Sequence, residues 1–132
     1  MKRRAFLALL PAVMLVRPAA AAPVPVTARP IPDKGAALVL VDSPGCAWCR
    51  RWRAEIGATY HQTTQGRAAP LSVIDIRGAW PDGVVLDRRP FMTPTFILLR
   101  DKVELARIEG YPGAAHFMPE LDALLQTAGI TR

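Results

Sequence analysis

An α/β fold of three layers, with a central mixed sheet and flanking helices, is what this sequence predicts, and three observations carry it. Ala37-Leu38-Val39-Leu40-Val41 is a continuous apolar run of strand length, bounded by Gly35 and by Ser43-Pro44-Gly45. A run without alternation marks a strand covered on both faces. The segment behind it has helical spacing and leads into a second run, Leu71–Ile76, which makes a strand–helix–strand crossover. Two further strand-like runs around a tight connection and a last amphipathic stretch give the order strand, helix, strand, irregular segment, strand, strand, helix.

Each element has its own warrant. Residues 22–35 hold Pro23, Pro25, Pro30 and Pro32 without a sustained period and read as an extended lead-in, with one short strand over Val24–Ala28. A helix is expected from Ala47 to Tyr60, because Trp48, Trp52, Ile56 and Tyr60 recur every fourth residue as one apolar stripe. Gln62–Pro70 is polar and reads as a loop. Gly78, Pro81, Gly83 and Pro90 make the next segment irregular, with a short helical turn over Val84–Arg88. Thr95–Leu99 and Val103–Ile108 form a hairpin around Arg100–Lys102, a turn without the usual glycine. Phe117, Leu121, Leu124, Leu125 and Ala128 place the last helix over Ala114–Ala128, stopped by Gly129, with Pro119 tolerated near its first turn.

The chain has 132 residues and 14.4 kDa, room for one domain. A hydrophobic content of 51% and a mean hydropathy of +0.16 exclude a wholly disordered chain. The formal charge of +6 raises the question of a nucleic-acid or acidic-membrane partner, and the N-terminus answers it. Met1-Lys2-Arg3-Arg4 is a positive leader, Ala5–Val16 an apolar run containing Pro11, and Ala19–Ala22 a stretch of small residues. This is the layout of a cleaved secretory signal peptide. The run is shorter than the ~20 apolar residues that span a bilayer, and Arg17-Pro18 closes it. The expected segments are a signal peptide over 1–21, an extended lead-in over 22–36 and a folded domain over 37–132. Arg3-Arg4-Ala5-Phe6-Leu7 also partly matches a twin-arginine signal, so the Sec and twin-arginine routes both stay open. Cleavage removes Lys2, Arg3, Arg4 and Arg17, leaving 111 residues with 13 basic and 11 acidic side chains, a charge of +2. With no basic tract interleaved with aromatics, that balance gives no footprint for nucleic acid.

Only two cysteines occur, Cys46 and Cys49. A disulfide-rich scaffold and a four-cysteine zinc site are thereby excluded. Two residues apart, with the first at a helix N-cap, they lie on one turn within disulfide reach. Cys46 falls where the helix dipole and free backbone N–H groups stabilise a thiolate. Cys49, beside the apolar stripe, suits a shielded resolving thiol. Arg50, Arg51 and Arg53 add positive potential wherever they do not point into solvent. Zinc would need His61 and His116, which are 55 residues apart in no finger-like spacing. Covalent haem attachment needs a histidine where Arg50 stands. A purely structural disulfide across so short a loop constrains little of the unfolded chain. The expectation is a redox pair with no metal and no cofactor.

Thr93-Pro94 directly precedes the third expected strand, Thr95–Leu99. Together, the C-x-x-C after the first strand and the X-Pro before the hairpin strand resemble the thioredoxin superfamily, over about Ala37–Thr127 and including Gly110 near that family's rim glycine. The resemblance implies a thioredoxin-like fold for 37–132, a cis Pro94 set against the cysteines, and Thr93 offering backbone groups to a bound substrate segment. Asp42 has two readings. Turn chemistry before Ser43-Pro44-Gly45 is favoured; by resemblance, the residue is alternatively an acid that assists the second cysteine. Gly45 and Ala47-Trp48 depart from the common thioredoxin motif. Ser43–Cys49, Thr93–Phe96 and Glu109-Gly110-Tyr111-Pro112-Gly113 are similar instead to small periplasmic thioredoxin-like proteins encoded with bacterial sulfur-oxidation (Sox) systems. That likeness implies a periplasmic thiol–disulfide reductase that keeps the swinging-arm cysteine of the sulfur-carrier complex SoxYZ active. Its electrons would come from a membrane thiol transporter, and a monomer is expected.

The candidate catalytic residues are therefore Cys46 and Cys49. Thr93, Pro94, Trp48 and Tyr111 are the candidate substrate-binding residues, and Phe117 reads either as rim or as core. The same dithiol run in the other direction serves an oxidase or isomerase, although a dimeric isomerase needs a further domain for which 111 residues leave no room. A non-catalytic binding module or metal chaperone on the same fold is the remaining alternative.

Overall fold

The computed structural model describes residues 14–17, 22 and 24–130. The signal-peptide assignment over 1–21 lies outside the described residues apart from 14–17, which are exposed. No helix among the described residues is long and apolar enough to cross a membrane. The elements are β1 (Ala36–Asp42), α1 (Ala47–Trp52), a π-helical turn (Arg53–Gly57), a 3-10 turn (Tyr60–Gln62), α2 (Thr64–Ala68), β2 (Leu71–Asp75), β3 (Thr95–Arg100), β4 (Val103–Glu109) and α3 (Ala114–Thr127).

The sheet runs β2-β1-β3-β4, with β1 parallel to β2 and the other pairs antiparallel. Its centre is the unalternated run: Ala37 to Val41 are all buried because β1 is covered on both faces. The pleat sends Leu38 and Leu40 to one face with Phe96 and Leu98. Val39 and Val41 go to the other with Ile97 and Leu99. The first face is closed by helices, through Trp52, Ile56, Tyr60, Phe117, Leu121 and Leu125. The third layer, over the second face, is not helical. It is built from Ile31 of the lead-in and from Ile76, Trp80, Val84 and Leu86.

Four local expectations are corrected. Val84–Arg88 forms no helical turn; it lies extended beside β4, bridged through Val85 N to Lys102 O and Glu104 N to Val85 O, each at 2.9 Å. Val24–Ala28 is not a strand, and Arg29 N to Leu71 O at 2.8 Å supplies the lead-in's backbone bond to β2. Within Gln62–Pro70 sits the short helix α2. Thr63 caps it by accepting from Gly66 N at 2.9 Å, and Gly66 packs so close to Tyr60 that any Cβ would strike its carbonyl oxygen. Trp48 does not join the apolar stripe: it is 53% exposed, whereas Trp52, Ile56 and Tyr60 are buried. The helix begins past the end of β1, so its first turn overhangs the sheet. Its regular period also ends at Trp52, where a wider turn bonds Ala58 N to Arg53 O at 3.0 Å.

The glycine-free hairpin turn is Asp101-Lys102, both left-handed with φ of 50° and 66°, as a two-residue hairpin loop demands. Tertiary contacts offset the strain of that geometry. Asp101 exchanges two hydrogen bonds with Gly35, and Lys102 reaches Asp33 and the Asp82 carbonyl. Pro119 is the sixth residue of α3, deeper than the first turn, so the helix forgoes one bond there.

Candidate active site

β1 delivers the chain to Asp42, and Ser43-Pro44-Gly45 turns it into α1. Gly45 carries φ 80°, a conformation glycine takes at little cost. Cys46 N donates to Ser43 O at 3.2 Å, leaving Cys46 extended as the N-cap. Its Sγ accepts from Cys49 N at 3.1 Å. A sulfur in this position stands where Ser or Asp would usually cap, and its thiolate would receive a backbone N–H together with the positive end of the helix.

Cys46 and Cys49 are joined in a disulfide with Cα atoms 5.3 Å apart. Burial separates them: Cys46 is half-buried at the surface, and Cys49 is 1% exposed. The Thr93–Pro94 peptide is cis, and Ser43 Oγ lies 2.9 Å from Thr93 Oγ1, joining the two loops across 50 positions. Pro94 is buried, and its carbonyl accepts from Gly110 N at 2.8 Å. The Thr93 amide and carbonyl make no hydrogen bond among the described residues.

The other predicted site residues are placed unequally. Trp48 stands exposed between the cysteines, with the Arg51 guanidinium carbon 5.5 Å from its ring centroid. Tyr111 is only 7% exposed; its ring packs edge-on against Phe117, and its hydroxyl donates to Glu55 Oε2 at 2.6 Å. Burial, reinforced by that carboxylate, pushes the Tyr111 phenol upward. Phe117 is fully buried against Phe96 and Trp52, so of its two readings the core one describes its place.

Asp42 makes the contact of its turn reading and lies near the cysteines without a hydrogen bond to either among the described residues. Oδ1 accepts from Ser43 N at 2.7 Å, which is turn chemistry. Oδ2 is held by Arg53 at 2.5 and 3.0 Å, and a carboxylate oxygen lies within 4.8 Å of both sulfurs. Arg53 thus points inward, Arg51 pairs with Glu55, and Arg50 is exposed. A pocket of about 470 Å³ bounded by Asp42, Gly45, Arg50, Arg53 and Asp75 reaches Cys49 from beneath. Asp42, Cys46 and Cys49 are the one cluster of metal-ligand type among the described residues, and it contains neither His61 nor His116.

Sequence reasoning missed Glu55. Its spacing to Arg51 is an (i, i+4) signal open to inspection, whereas its bond to Tyr111, 56 positions away, is not. The Tyr111 hydrogen bond first, then the Arg51 pair, hold the Glu55 carboxyl below the usual range.

No protein-family model and no curated protein sequence matches the chain. Among solved structures, the chain is similar to the periplasmic thioredoxin SoxS of Paracoccus pantotrophus in its reduced form. The two share 43% identity at a TM-score of 0.69, and the match covers 70% of this chain and 98% of that one.

Proposed function

We propose that this chain, which belongs to the thioredoxin superfamily and has its thiol–disulfide redox function, acts through the Cys46–Cys49 pair as a periplasmic reductase of protein disulfides. The observation that carries this reading is the unequal burial of the two sulfurs beside the cis-proline loop. Only Cys46 is open to a large partner, and Cys49 is reachable from within.

In the reduced protein, Cys46 thiolate attacks one sulfur of a partner disulfide. The partner's S–S bond breaks, its other sulfur leaves as a thiolate, and a mixed disulfide forms at Cys46. Cys49, deprotonated, then attacks Cys46 Sγ and releases the partner's second sulfur as a thiolate. The Cys46–Cys49 disulfide forms as two electrons pass to the partner, whose two thiolates take up protons from water. A dithiol donor, by family likeness a membrane thiol transporter, returns the pair to its reduced state. Thr93, with its amide and carbonyl unpaired, offers the partner segment a strand-like pairing beside Pro94. Trp48 borders that segment, whereas Tyr111, only 7% exposed, backs the site from within. By family likeness, the partner would be a sulfur-carrier protein, SoxYZ, that loses a disulfide or sulfur adduct on its swinging-arm cysteine.

Trapping tests this reading. Cys49→Ser in periplasmic extract is expected to accumulate a mixed disulfide at Cys46 that mass spectrometry identifies. Cys46→Ser is expected to lose reduction of insulin disulfides, and full activity of that variant would refute the mechanism. An equilibrium potential near that of thioredoxin, about −270 mV, supports the reducing direction; one near −120 mV reverses it.

A further inference from the structure

Three contacts run in series from exposed Trp48 to the loop after β4, and the thiol chemistry does not use them. Arg51 lies over the Trp48 ring, 5.5 Å from its centroid. Arg51 Nε donates to Glu55 Oε1 at 2.7 Å. The other oxygen, Oε2, accepts from the Tyr111 hydroxyl at 2.6 Å. Glu55 therefore divides its carboxylate between the helix that bears the cysteines and a residue next to Gly110, whose amide holds the Pro94 carbonyl. Tyr111 is a fixed anchor, since its ring is packed on Phe117 and almost wholly buried.

Taking Cys46 as the thiol that meets a partner protein, we propose that Glu55 is a positioning residue for partner recognition. By holding Arg51 against Trp48 and tying both to Tyr111, it fixes an aromatic and cationic docking rim between the cysteine turn and the cis-proline loop. An exposed tryptophan and a long arginine each lose rotamer freedom when a partner binds; a rim ordered beforehand avoids that loss. The rim's chemistry defines what fits it. Trp48 presents an apolar face, and the two terminal nitrogens of Arg51 have no hydrogen-bond partner among the described residues. A partner segment with an apolar side chain and a carboxylate close to its cysteine matches both.

The test compares insulin with a small aromatic disulfide as substrates of the pre-reduced full chain. Glu55→Gln keeps an oxygen for Tyr111 and removes the charge that holds Arg51. It is expected to raise KM for insulin about fivefold while lowering kcat less than about twofold, with a clearly smaller effect on the small disulfide. In a Trp48→Ala background the same substitution is expected to add almost nothing, because Glu55 acts through that ring. The Trp48 contribution to fluorescence, obtained by difference from Trp48→Phe, is expected to shift in Glu55→Gln. Equal effects on both substrates, no effect on either, or an undiminished effect in the Trp48→Ala background would overturn the proposal. A wild-type protein that reduces neither substrate removes the reductase reading, and this inference with it.

Discussion

The two faces of the sheet are closed by different means. On one, α1 and α3 bring large aromatic side chains together: Trp52, Phe96 and Phe117 interlock with ring centroids 4.5 to 6.0 Å apart. On the other, the sheet offers the aliphatic Val39, Val41, Ile74, Ile97 and Leu99, and its cover is irregular chain. Charge completes that second face. Glu104 and Arg107, opposite Leu99 and Ile97 on β4, form an ion pair with side chains 5% and 7% exposed. Glu104 accepts from Asp87 N, and Arg107 donates to Arg88 O. A helix satisfies its own backbone and needs only an apolar stripe to dock. Irregular chain has no ladder of its own to satisfy its backbone, and here one ion pair supplies partners for two of its exposed groups, the Asp87 amide and the Arg88 carbonyl. The faces thus differ in what holds them: helix packing among aromatic rings on one, and on the other an aliphatic cluster whose irregular cover is tied down by directed polar contacts.

That contrast can be broken from either side. Phe117→Ala should be the most damaging change to stability, about 3–5 kcal/mol by chemical denaturation, since the cavity opens among rings that cannot collapse. Glu104→Ala should cost about 3 kcal/mol because it leaves Arg107 buried with only the longer contact to Glu109, at 3.8 Å, as counter-charge. The double replacement Glu104→Leu with Arg107→Met should recover much of that loss in the same titration. A double variant as unstable as the single one would show that the contacts to Asp87 and Arg88, rather than the pairing of charges, hold this face.

Acid should weaken the two faces unequally. Burial would raise the Glu104 carboxyl, but its hydrogen bond from Arg107 and the Asp87 amide leave it below the ordinary value. A depressed folded value means stability that is present above the unfolded pKa, about 4.3, and is lost as pH falls through the folded one. Stability measured from pH 6 downward should therefore fall more steeply in wild type than in Glu104→Gln below about pH 4.3. The smallest change is expected from Glu55→Gln. Its pair with Arg51 is solvent-exposed, so the Tm should stay where it is; a clear drop would reassign Glu55 from recognition to stability.

The packed face is also the one that the sequence discloses. Trp52, Ile56 and Tyr60, four residues apart across α1 and the two turns that follow it, and Phe117, Leu121 and Leu125 on α3 show in the sequence the spacing of a buried apolar stripe. The cysteine pair and Thr93-Pro94 were legible because each is a short motif whose meaning depends on the strand beside it. The other face left no such trace. Val84, Val85 and Leu86 are consecutive aliphatics, which fit a helical turn or an extended strip equally well, and Val103 and Glu104 decided between them through space. Thr64–Ala68 is helical because Thr63 caps it and Gly66 fits under Tyr60, both local contacts without periodicity. Glu55 escaped notice for a related reason: half of its role depends on Tyr111 being folded against it.

The strip from Val85 to Asp87 has one more consequence, for the behaviour of the protein in a crowd of others. β4 is the last strand of the sheet, and an uncovered outer strand offers its amides and carbonyls to any extended chain that passes. Val85 occupies the Lys102 carbonyl and the Glu104 amide, and at the opposite margin Arg29 occupies the Leu71 carbonyl. Beside the covered margin stand Val85, Val103 and Leu105, at 57%, 45% and 42% exposure, the side chains that would make a foreign strand adhere. Were the strip to peel away, the start of β4 would be open to a foreign strand; while it stays in place, that end of the edge is paired within its own chain.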